Sequence, residues 1–111
     1  MKSWVTQLRK GAGELVVLAA LQRGEAYGYE LLQRINQTPG ISMTESTVYP
    51  LLARLTKDEY LTVRAAPSKT GPPRRYYKLT RAGRRRLKEM SGCWNEFTDG
   101  VESLLRGSKN E

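Results

Sequence analysis

The chain has 111 residues, with 19 Lys and Arg against 11 Asp and Glu for a formal net charge of +8, so it suits one small, strongly basic domain with a thin core. It has no histidine and one cysteine, Cys93. That composition excludes an internal disulfide, argues against a Cys/His zinc site and removes the usual general base near neutral pH. It therefore argues against an enzyme and implies neither metal nor cofactor, and one thiol without a disulfide framework fits a reducing cytoplasm.

In chain order, Trp4, Leu8, Ala12, Leu15, Val16 and Ala19 follow helical spacing and predict a first helix from about Ser3 to Gln22. The apolar run Leu15 to Leu21 is far shorter than a membrane span. Lys2, Arg9 and Lys10 ahead of it imitate a signal peptide, but Glu14 abuts the run, Gln22-Arg23 closes it and no clear small-residue cleavage site follows. Tyr27, Leu31, Leu32 and Ile35 predict a short second helix closed near Thr38-Pro39-Gly40.

A third helix starts at Thr44 as N-cap, with Glu45 in its first turn; Ser42-x-x-Glu45 is a competing capping box. Val48, Leu51, Leu52 and Leu55 form its buried stripe, and it ends near Lys57 to Glu59. Pro50 lies just beyond the first turn and removes one backbone bond. Leu61–Arg64 and Arg75–Leu79 are β-prone runs around the turn-rich stretch 65–73, a hairpin with a basic tip. Thr80 caps a last helix from about Arg81 to Leu105. Along it, Leu87, Met90, Trp94, Phe97, Val101 and Leu104 repeat at spacings of 3 and 4, a heptad seam that predicts pairing with a second chain. The seam is short, and a helix packed on its own domain is the competing reading.

Charge is segregated. Between Arg64 and Lys88 lie ten basic residues and no acidic one, while the rest of the chain holds nine basic against eleven acidic residues, a net of −2. Such a block favours a polyanionic partner, nucleic acid before an anionic membrane surface, because bulky apolar anchors are missing beside the charges. A solvated basic face is the plain alternative.

Three helices followed by a hairpin give the order of a winged helix-turn-helix, a mainly α fold with a small β-hairpin. Residues 1–80 form the DNA-binding region, 81–106 a C-terminal dimerisation helix and 107–111 a disordered tail. Thr44, Ser46, Thr47 and Tyr49 crowd the N-terminal end of the recognition helix, which suits base edges and phosphates of double-stranded DNA. Lys69, Arg74 and Arg75 on the wing can follow the backbone or reach the minor groove.

The runs Tyr27-Gly28-Tyr29-Glu30-Leu31, Thr44 through Leu52, and Gly71 through Thr80 with Ala82-Gly83 together resemble the short form of the PadR family of bacterial transcriptional regulators. The resemblance implies a homodimeric repressor whose first and last helices build the dimer, bringing Leu8 into the interface with the seam residues. It also implies operator contacts by Tyr49, nearby hydroxyls and the wing, and release by a small aromatic or hydrophobic effector beside Trp94 and Phe97. One departure is Asp58-Glu59-Tyr60, where the family usually has glycine after the recognition helix. Glutamate sits badly both in a left-handed cap and against the helix dipole.

Several residues keep a second reading. Tyr49 also fits a half-buried helix aromatic, and Trp94 fits dimer core as well as a ligand platform. One of Tyr76 and Tyr77 should face inward. Cys93 has no second thiol in the chain to resolve it. For the whole chain, a protein-interaction module and a non-specific nucleic-acid binder are the alternatives.

Overall fold

The computed structural model describes residues 2–107. The elements are α1 (Lys2–Ala20), β1 (Ala26–Tyr27), α2 (Gly28–Asn36), α3 (Glu45–Lys57), β2 (Leu61–Ala66), β3 (Arg74–Leu79) and α4 (Arg81–Arg106). This is the mainly helical winged architecture expected from the sequence, with one addition. The sheet has three antiparallel strands in the order β1-β3-β2, because Ala26 and Tyr27 pair with Tyr77 and Tyr76. Tyr27 was expected to open the second helix; instead it is extended (φ −82°, ψ 163°) and precedes the first helical residue. Its backbone N–H donates to the Glu30 carboxylate at 3.3 Å, which ties strand to helix.

The core gathers Val17 and Leu18 from α1 and Leu21 just after it, Leu31 and Ile35 from α2, and Val48, Leu52 and Leu55 from α3; Leu61, Leu79 and Leu87 close it. Each such aliphatic side chain contributes about 1.5–3 kcal/mol on burial. The stripe that marked α1 in the sequence is a different face. Trp4, Leu8 and Ala19 are exposed, while Ala12, Leu15 and Val16 are half-buried. The second half of this helix is apolar almost all round and so has more than one face to bury, and helical spacing alone does not say which one the chain fills itself.

Polar groups fix the joints between helices. Asn36 closes the α2–α3 turn by accepting from the Met43 N–H at 2.8 Å and donating to the Met43 carbonyl at 2.9 Å. Arg34 donates to the Ala20 carbonyl at 2.8 Å, satisfying a carbonyl at the end of α1. Glu14, its side chain 15% exposed, receives Arg54 from α3 at 3.0 Å and also Arg86 from α4. The Arg86 guanidinium lies 4.7 Å from the centre of the Tyr60 ring.

The exit from α3 answers the question raised by Glu59. That residue has φ +67°, the left-handed conformation. The Tyr60 N–H donates to the Leu55 carbonyl at 2.9 Å and the Glu59 N–H to the Thr56 carbonyl at 3.0 Å, a complete Schellman cap built on glutamate instead of glycine. Thr80 locks the cap to α4: its hydroxyl donates to the Glu59 carbonyl at 2.8 Å and accepts from the Gly83 N–H at 2.9 Å. A Cβ on Gly83 would lie 2.1 Å from the Tyr60 carbonyl oxygen, so only glycine lets α4 start this close.

Beyond Trp94, α4 leaves the rest of the molecule. The longest dimension is 63 Å and the radius of gyration 16.4 Å, against about 13 Å for a compact chain of this length. Leu87, expected in the dimer seam, is buried in the chain's own core, and Met90 packs at its edge. The remaining seam residues Trp94, Phe97, Val101 and Leu104 are exposed, Phe97 by 66% and Leu104 by 81%. No helix among the described residues is long and apolar enough to cross a membrane. Of the tail expected at 107–111, residues 108–111 lie outside the described residues.

Candidate nucleic-acid interface

Thr44 stands at the N-cap position of α3, as the sequence predicts, but its hydroxyl makes no hydrogen bond to the backbone of its helix. It bonds instead to the Ser46 hydroxyl at 2.9 Å and the Thr47 hydroxyl at 3.4 Å. The structure therefore brings three of the four predicted α3 residues into one hydroxyl cluster, beside a helix end that carries partial positive charge.

Tyr49 lies one turn further along α3 and is 39% exposed. Its ring lies against the first residue of α2: a Cβ on Gly28 would sit 2.7 Å from the Tyr49 Cε1 atom. Burial, followed by the charge of Glu45, pushes the phenol above its ordinary range. Tyr49 is therefore a protonated hydroxyl at neutral pH, able to donate to a phosphate or base acceptor.

The wing places its cations in two ways. Lys69 is exposed in the loop between β2 and β3. Arg74 and Arg75 are neighbours on β3, so they leave opposite faces of the sheet. Arg74 shares a face with Tyr76 and Lys78, whereas Arg75 shares one with Tyr77 and Leu79. Tyr77 packs against the core and Tyr76 does not, which decides which of the two tyrosines faces inward.

On the outer face four side chains stack in series. The Arg74 guanidinium carbon lies 4.4 Å from the centre of the Tyr27 ring, the Tyr27 and Tyr76 rings meet edge to face at 5.5 Å, and Arg64 lies 4.7 Å over Tyr76. Arg64 completes the series by binding Glu25 with both its Nε, at 3.1 Å, and a terminal nitrogen. That forked bond holds the Glu25 carboxyl below the usual carboxylate range. Sequence reasoning assigned no site role to Tyr27, Arg64 or Tyr76; the pairing of Tyr27 with Tyr76 depends on a strand of two residues, too short to show alternation.

The basic segment is thus less uniform than its composition. Arg64 and Arg86 are committed to Glu25 and Glu14. Lys69, Arg74, Arg75, Lys78, Arg81, Arg84, Arg85 and Lys88 form no ion pair among the described residues. Their field remains available to an anionic partner.

The residues predicted for an effector are separated. Trp94 stands at the rim of a groove of about 840 Å³ between α1 and the α2–α3 turn, with Leu8, Ala12, Val16, Ile41 and Met43 among its walls. Phe97 lies outside that groove, beside Gly100, Val101 and Leu104 on the exposed rod.

Comparison with known proteins gives one answer. The family model described as "Transcriptional regulator PadR-like family" matches residues 17–89. A PadR family transcriptional regulator from Eggerthella lenta is 36% identical, with 94% of this chain and 90% of that one covered and a TM-score of 0.83. A PadR-like transcription factor from Bacteroides fragilis is 34% identical over 92% of this chain and 98% of its own, with a TM-score of 0.75. Bacillus subtilis PadR, solved in complex with operator DNA, is 26% identical over 69% of this chain and 45% of its own, with a TM-score of 0.64.

Proposed function

This chain belongs to the PadR-like family of transcriptional regulators, and on that premise we propose that it is a homodimeric, sequence-specific DNA-binding repressor of a pseudo-palindromic operator. The observation that carries the reading is the exposed end of α3, where the hydroxyls of Thr44, Ser46 and Thr47 gather next to the protonated Tyr49. Short polar side chains there suit base edges in the major groove. Lys69, Arg74 and Arg75 suit phosphates, which position a protein without reading sequence. That a Bacillus subtilis relative is solved in complex with operator DNA supports DNA as the partner.

The second copy rests on the rod. Trp94, Phe97, Val101 and Leu104 are exposed, as is Leu8 on α1; a two-fold pairing covers the same patch on both chains. It offers two heads to one duplex, with half-sites about one helical turn or a multiple of it apart. The groove beside Trp94 has the size of a small-molecule site, and a planar aromatic effector seated there at the dimer interface would release the operator.

Footprinting the purified protein on DNA upstream of its own gene, with affinity followed across a salt series, tests the reading. It expects a protected palindrome and a steep fall in affinity as salt rises, because neutralised phosphates release counterions. Tyr49→Ala and Arg74→Ala should each weaken operator binding by about 1–3 kcal/mol without changing sedimentation, with the fold retained in thermal melts. Equal affinity for upstream and random fragments defeats the reading in favour of a non-specific binder. No DNA binding at all favours a protein-interaction module. Titrating planar hydrophobic compounds against Trp fluorescence tests the effector, and an unchanged signal with an intact dimer excludes it.

A further inference from the structure

Tyr27 and Gly28 are adjacent, and each touches one of the two elements assigned above to DNA. The Arg74 guanidinium rests 4.4 Å from the centre of the Tyr27 ring. The next residue, Gly28, is where the Tyr49 ring lies, so close that a Cβ would meet Cε1 at 2.7 Å. Resting on the DNA-binding reading, we infer that Tyr27-Gly28 is the positioning joint of the reading head, setting wing Arg74 and recognition-helix Tyr49 relative to each other before DNA arrives.

The joint has the rigidity this role requires. Tyr27 is held by pairing with Tyr76 in the sheet and by the bond from its N–H to Glu30 at 3.3 Å. Its ring is fixed edge to face against Tyr76, which is itself covered by the Arg64–Glu25 pair. An arginine free in solution loses rotamer freedom on meeting a phosphate; one already stacked on a ring loses less. A guanidinium over a ring face directs its N–H donors outward in its own plane, so the contact does not preclude a forked bond to phosphate. Gly28 acts by omission. Its φ is not left-handed, so glycine is required there for space and not for backbone freedom.

The test measures affinity of the full-length protein for its footprinted operator, beside thermal melts. Tyr27→Leu, which keeps bulk but loses the ring face, should weaken binding about three- to fivefold, and Tyr27→Phe should restore it. Gly28→Ala should weaken binding about tenfold with its melting temperature close to the parent's, because the ring it displaces is partly exposed and alanine's restriction of the unfolded chain offsets the lost packing. The double variants decide the mechanism: Tyr27→Leu should add nothing in an Arg74→Ala background, and Gly28→Ala nothing in a Tyr49→Ala background. Full additivity in either pair overturns the inference, as does a loss in Tyr27→Phe equal to that in Tyr27→Leu. If the unaltered protein finds no specific site, the DNA-binding reading fails and the inference falls with it. If it binds and neither single variant weakens it, the inference alone fails.

Discussion

Between Gly13 and Leu87 the molecule buries or half-buries its large aliphatic side chains, with Val63 the exposed exception, and shows cations to solvent; from Trp94 to Leu105 it exposes its large apolar side chains and carries no cation, its only charges being Glu96, Asp99 and Glu102. The head closes on itself: four helices and three strands share one core, and its half-buried Glu14 carboxylate is met by Arg54 and Arg86 from two other helices. The rod's apolar side chains Phe97, Val101, Leu104 and Leu105 stay exposed, with nothing among the described residues to cover them. A soluble molecule seldom leaves a continuous apolar stripe uncovered. The contrast teaches that one continuous heptad pattern need not serve one surface. Leu87 and Met90 belong to the head, and on the proposed dimer the seam between chains begins at Trp94.

The sharpest way to break that division is to charge the rod. On the proposed dimer, Phe97→Asp and Leu104→Asp each place a carboxylate in an apolar interface. Each should raise the dimer dissociation constant on the order of a hundredfold or more, measured by sedimentation, with operator binding lost as a consequence. Circular dichroism should still report a folded head. A variant that remains dimeric shows that the seam lies elsewhere.

The converse substitution injures the head and spares the rod. In Gly83→Ala the new methyl meets the Tyr60 carbonyl, a backbone atom fixed by the Schellman cap and by Thr80. The cost should be about 2–3 kcal/mol, the upper part of the overpacking range, read from denaturant melts at fixed protein concentration. The variant should still sediment as a dimer where it remains folded. Losing the dimer together with the head would show that the two regions are not separable.

How far the sequence could be read follows the same boundary. Thr44 and Thr80 were legible as helix starts, and Thr80 makes the bond to the Gly83 N–H that its type implies. The hairpin strands and the unusual position of Glu59 were legible because turns and caps are local chemistry. Leu87 lies on the predicted seam yet is buried in the chain's own core, because a 3-4 spacing defines a face without naming what covers it. The Trp4 and Leu8 spacing likewise marks the helix α1 correctly and leaves open what covers that exposed face. The Glu14–Arg86 pair spans 72 residues and the Asn36–Met43 clamp depends on a turn's closure; neither leaves a periodic trace. Tyr27-Gly28 was visible as part of a motif, yet its neighbours Arg74 and Tyr49 come from distant segments that only the tertiary fold brings to it.

The smallest effect sharpens the boundary instead of breaking it. Glu59 holds φ +67° at the joint where α3 passes to the wing, a conformation that costs a residue with a Cβ roughly 1–2 kcal/mol. Its carboxylate also stands at the negative end of the α3 dipole. Glu59→Gly removes both penalties, but glycine gives part of the gain back through the larger freedom of the unfolded chain. The net should be a stabilisation of about 0.5–1 kcal/mol, a rise of several degrees in melting temperature for a domain of this size. Because the Glu59 and Tyr60 carbonyls are already held by Thr80, the cap geometry has nowhere else to relax. Operator affinity should accordingly stay unchanged: the wing's aim is set by the joint and not by the residue that occupies it. A Glu59→Gly protein that melts no higher would mean that the glutamate side chain supplies a compensating contact of its own. A shift in operator affinity at unchanged melting would mean that residue 59 steers the wing.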